Sequence, residues 1–143
     1  MATMRAEQIV DRVRSLCVGE PFLLVEAPRW ESFAEVPSQQ VDGVFRIPPP
    51  SSQRVVGGFG YIEDRTDSMQ IWVARKITDL ASTRRALLLD VTSLTSAIMR
   101  DAYQVSGEYT VPDEGRGHAV VVTPGQEYAT LRVTVPINYE SQL

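Results

Sequence analysis

Residues 79–103, DLASTRRALLLDVTSLTSAIMRDAY, decide how this chain folds. No other long run keeps a helical period without a glycine or proline. At ~100° per residue, Leu80, Leu87, Val91, Leu94 and Ile98 fall on one stripe, with Leu88 and Met99 on its shoulder. Ser82, Arg85, Leu89, Ser96 and Arg100 fall on the opposite side. Asp79 is placed to cap the helix, its side-chain oxygen accepting a first-turn amide that has no partner within the helix. At ~1.5 Å per residue the helix is ~35 Å long, enough to cross a small sheet. Strand-like segments lie immediately before and after it, so the order is strands, helix, strands.

Upstream, Val55 to Glu63 and Met69 to Ile77 read as the two strands of a hairpin. In the second, Ile71, Val73 and Ile77 alternate with Gln70, Trp72 and Lys76. Their connection is then the short acidic run Glu63 to Asp67. Before the hairpin, Val41 to Ile47 reads as a strand, stopped by Pro48, Pro49 and Pro50, which cannot donate ladder hydrogen bonds. The first segment, Thr3 to Val18, is a second amphipathic helix. Ala6, Ile9, Val13 and Leu16 form its stripe, Cys17 lies beside them, and Gly19 and Pro21 end it. Between helix and strand, Phe22 to Gln40 is irregular and proline-punctuated; its Trp30 and Phe33 are expected to pack that segment onto the domain. Downstream, Ser106 to Gly117 is loop with a short strand at Tyr109 to Val111, His118 to Thr123 is β-branched, and Pro124-Gly125 makes a turn. Tyr128 to Tyr139 is the clearest strand, with Leu131, Val133, Val135, Ile137 and Tyr139 on one face. Pro136 inside it predicts an edge strand or a bulge. The fold class that follows is α+β, residues 1–143 as one domain: an antiparallel sheet with a long hairpin, and two amphipathic helices on one face.

Composition limits what such a domain does. At 143 residues, 43% of them hydrophobic and 22% charged, the chain can bury a core without staples. A formal net charge of −4 argues against a nucleic-acid-binding domain. Thirteen of the 14 basic residues are arginine, a bias that a GC-rich genome also produces. The single Cys17 rules out an internal disulfide and fits a reducing compartment. No run reaches the ~18 apolar residues of a membrane helix, and no signal-peptide core is present, so the expected setting is the cytosol with no membrane partner.

The search for chemistry is mostly negative. With one histidine, His118, and one cysteine, no Cys/His zinc site can be assembled. No Gly-x-Ser-x-Gly elbow places a nucleophile. The Gly57-Gly58-Phe59-Gly60 run lacks the lysine and hydroxyl of a phosphate loop and is read as a bulged strand. Glu63, Asp64 and Asp67 lack the spacing of a calcium loop. No catalytic residue, cofactor or metal is expected.

The order of parts carries the one resemblance. An N-terminal amphipathic helix leads through an irregular segment to VDGVFRI (41–47), a long hairpin, one helix, GEYTVP (107–112) and a closing LRVTVPINYE (131–140). This order resembles the tail-terminator, or tail-completion, proteins of long-tailed bacteriophages. The resemblance implies a ring, usually of six copies, that caps the tail tube, ends its growth and joins the tail to the neck of the head. Its implied partners are the chain itself, the tail tube protein and a neck or head-completion protein. Its place is the virion's head–tail junction, after assembly in the host cytoplasm. No cofactor and no enzyme activity are implied. The hairpin is expected to reach neighbouring subunits or the tube through Arg54, Gly57, Gly58, Phe59 and Tyr61. Genome DNA must slide through the lumen without binding, so the acidic Glu63, Asp64 and Asp67 are expected to face it. Another head–tail joining protein, a small cytosolic enzyme and a monomeric binding module remain as alternatives.

Overall fold

The segment at 79–103 folds as helix α2, Leu80–Arg100, and runs on through a π-helical turn at Asp101–Ser106. Asp79 caps it, its Oδ2 accepting from the Ser82 N–H at 3.1 Å and the Ser82 hydroxyl at 2.8 Å. Gly107, at φ +67°, ends the turn and donates its N–H to the Ala102 carbonyl at 3.0 Å. A residue without a Cβ takes that left-handed conformation at no steric cost. Leu87, Leu94 and Ile98 are fully buried, while Leu89 stands exposed on the far side as its spacing predicts. Leu80 departs from the expected stripe: it is exposed, and the first buried residue of the helix is Thr83.

A computed structural model supplies these observations; it describes residues 5–34, 43–59, 62–122 and 127–142, with the side chains of 52–59, 62 and 142 outside that description. Helix α1 covers Ala6–Val18 and buries Ile9, Val10, Val13 and Cys17. At its start the Arg5 N–H donates to Gln8 Oε1 at 2.7 Å. The expected start at Thr3 and the Pro124-Gly125 turn lie outside the described residues, as do Val41 and Asp42 of the expected strand.

Seven strands form one sheet: β1 Val25–Glu26, β2 Val44–Arg46, β3 Ser51–Phe59, β4 Ile62–Lys76, β5 Tyr109–Thr110, β6 Gly117–Val121 and β7 Tyr128–Gln142. Strands β4 and β7, 15 residues each, pair antiparallel in unbroken register from Ile62 opposite Gln142 to Lys76 opposite Tyr128. Strands β2 and β3 share the other edge of β4, and β5 and β6 share the other edge of β7. Among the described residues only β1, on β2, pairs parallel. The architecture is α+β with a mostly antiparallel sheet.

Side chains alternate across a strand, so each face of the sheet has its own cover. Met69, Ile71 and Val73 of β4 and Leu131, Val133, Val135 and Ile137 of β7 meet Ile9, Val13, Leu87, Leu94 and Ile98 in one core. Both helices thus lie on this face. The other face is covered by the irregular segment after β1. Trp30 is buried with Ala27, Val44, Trp72, Ala74 and Tyr128, and Phe33 packs beside them. Trp30 meets Trp72 edge-on at 5.5 Å between ring centres, and the Arg132 guanidinium sits 5.4 Å over the Phe33 ring. The expected packing of Trp30 and Phe33 onto the body is what the structure has. Val44 and Phe45 are both fully buried because β2 is covered on both faces.

Two sequence expectations are corrected. The hairpin does not turn at Glu63 to Asp67: β3 ends at Phe59, and β4 begins at Ile62 and runs through those residues. Arg54 pairs with Thr66 and Gly58 with Glu63 on one side, and Asp64 pairs with Glu140 on the other. Pairing on both edges outweighs a turn-like composition. Nor is β7 an edge strand. Pro136 lies between its partners β6, which ends opposite Thr134, and β5, which begins opposite Asn138. The missing N–H falls in that gap, while the ladder to β4 continues through Ser68.

Candidate functional site

The apolar, helix-facing surface of β4 stops at Met69. Beyond it the same face of β4 carries Asp67, Arg65 and Glu63, opposite Ile137 and Tyr139 of β7, which still belong to the core; with β3 this stretch of β4 forms a polar arm of the sheet. Arg54, Gly57, Gly58 and Phe59 lie on β3, the outer strand of the arm; Tyr61 lies outside the described residues. The β3 register shifts between Ser52 and Arg54 and again between Val55 and Gly58, so Gly57 sits in an irregular stretch, in line with the bulged-strand reading. Such a bulge bends the strand and blunts its open edge.

Glu63, Asp64 and Asp67 do not form one cluster. Asp64 is exposed on the opposite face, across from Glu140. Asp67 is only 3% exposed, and its Oδ2 accepts the Tyr139 hydroxyl at 2.6 Å. Burial and that hydrogen bond to Asp67 push the Tyr139 phenol above its ordinary range, keeping it a donor. Asp67, expected to face a lumen, is thus buried within its own subunit and held by Tyr139.

A cleft of about 820 Å³ opens between the first turns of α1 and this end of the sheet. Four arginines (Arg5, Arg14, Arg46, Arg65) and four acids (Glu7, Asp11, Glu26, Asp67) line it, so its formal charge is zero and nothing favours an isolated anion or cation. Arg14 pairs with Asp11 and, at 2.6 Å, with Glu26. Arg65 Nε lies 3.9 Å from Asp67 Oδ1.

Two part-buried ion pairs tie the helices down, and neither was visible in the sequence. Asp90, on α2, accepts from Arg75 Nε at 2.6 Å and from its terminal nitrogen at 2.9 Å, joining the helix to β4. Asp101 accepts from Arg12 Nε at 3.0 Å, the other Arg12 nitrogen at 2.7 Å and the Tyr109 hydroxyl at 2.6 Å. Burial pushes the Asp101 carboxyl up, but the bonds from Arg12 and Tyr109 and the Arg12 charge outweigh it and hold the group below its ordinary value. The only available signal was an acid at a position where the helical period already pointed inward, Asp90, three residues from Leu87.

Groups with chemical potential are placed quietly. Cys17 is fully buried, and burial, followed by the fields of Asp90 and Glu26, pushes its thiol up to about 12. A thiol held protonated is a poor nucleophile. We expect Cys17 to resist alkylation at pH 8 in the folded chain and to react at the free-thiol rate in denaturant; fast native labelling would contradict this burial. His118 is exposed on β6. Among the described residues no cluster of three His, Cys, Asp or Glu could hold a metal, and no helix is long and apolar enough to cross a membrane. No protein-family model matches the chain, and no curated protein does.

Proposed function

We propose that the chain is a structural ring subunit of the tail-terminator kind: it caps the finished tail tube of a long-tailed phage, ends tube growth and joins the tail to the neck. The observation that carries this reading is the polar arm. In it β4 runs past its last helix-facing apolar residue, Met69, through Asp67, Arg65 and Glu63, paired with β3 on one edge and β7 on the other. Polar side chains on a long paired arm suit contacts outside the subunit. The order of parts read from the sequence supports the same role. In this reading the partners are further copies, six in a ring as the resemblance implies, the tail tube protein and a neck or head-completion protein. Asp64 with Glu140 opposite it places two carboxylates on the arm where phosphate would be repelled.

Native mass spectrometry of the purified chain tests the ring. The expected species has about six times the 15.9 kDa mass of one chain, and its addition to growing tail tubes fixes their length. A chain that stays monomeric, or a ring without effect on tube growth, overturns the terminator role.

A further inference from the structure

We draw no further inference here: the strongest candidate, the outer edge of strand β6 (Gly117–Val121), which among the described residues pairs only with β7 in unbroken register and leaves Val121 exposed, carries none because nothing in the structure shows what covers it.

Discussion

Leu94→Ala is expected to destabilise the subunit by about 2–5 kcal/mol, and Leu89→Ala by less than ~0.5 kcal/mol. Leu94 is fully buried on the stripe of α2 that faces β4 and β7, where truncation leaves a cavity that a close-packed interior refills only in part. Leu89 points away from that core. Denaturant titrations run at concentrations where the chain is monomeric separate the two, because any role of Leu89 between copies is then silent. Equal losses would mean that α2 is rotated about its axis from the orientation described.

Asp101→Asn should cost about 2–4 kcal/mol at neutral pH. The substitution keeps the side chain's shape and removes the charge that Arg12 and Tyr109 address from α1 and β5. Because Arg12 remains partly solvated, the loss should fall short of that for a fully buried pair. The effect also has a pH signature. The folded carboxyl titrates below its ordinary value of about 3.9, so its contribution is fully present above that pH and is lost as pH falls through the folded value. The stability gap between wild type and variant should therefore be widest near pH 7 and shrink on acidification below about pH 4. A gap that widens in acid, or no gap at pH 7, would show that the three groups do not act as a unit.

Both helices could be read from the sequence because their cores are one-sided: the period of Leu87, Leu94 and Ile98 is the burial pattern itself. The alternation of β4 and β7 was equally plain, and so was the placement of Trp30 and Phe33. What failed were features set by neighbours distant in sequence. The run Glu63 to Asp67 has the composition of a turn, yet β3 and β7 hold it on both edges. Pro136 looks like an edge signal until the gap between β6 and β5 is seen. Leu80 obeys the helical period and is exposed all the same, since burial of this helix begins at Thr83. The cleft, the Asp90 and Asp101 ties and the left-handed backbone of Leu23, at φ +51°, depend on contacts or backbone angles for which a linear pattern has no signal.

The ladder between β4 and β7 has a further consequence. Among the described residues it is the only link between two groups of strands: β1, β2 and β3 reach the sheet through β4, and β5 and β6 reach it through β7. The helix-facing apolar rows of both strands belong to one cluster, and the cluster on the other face also takes Tyr128 from β7. Melting of that seam leaves nothing native-like to persist, so unfolding should be all-or-none. Closing it requires Tyr128 to find Lys76 across the whole of α2 and the segments after it. A topology that depends on such non-local pairing folds slowly, and the waiting chain exposes two long strands throughout the search.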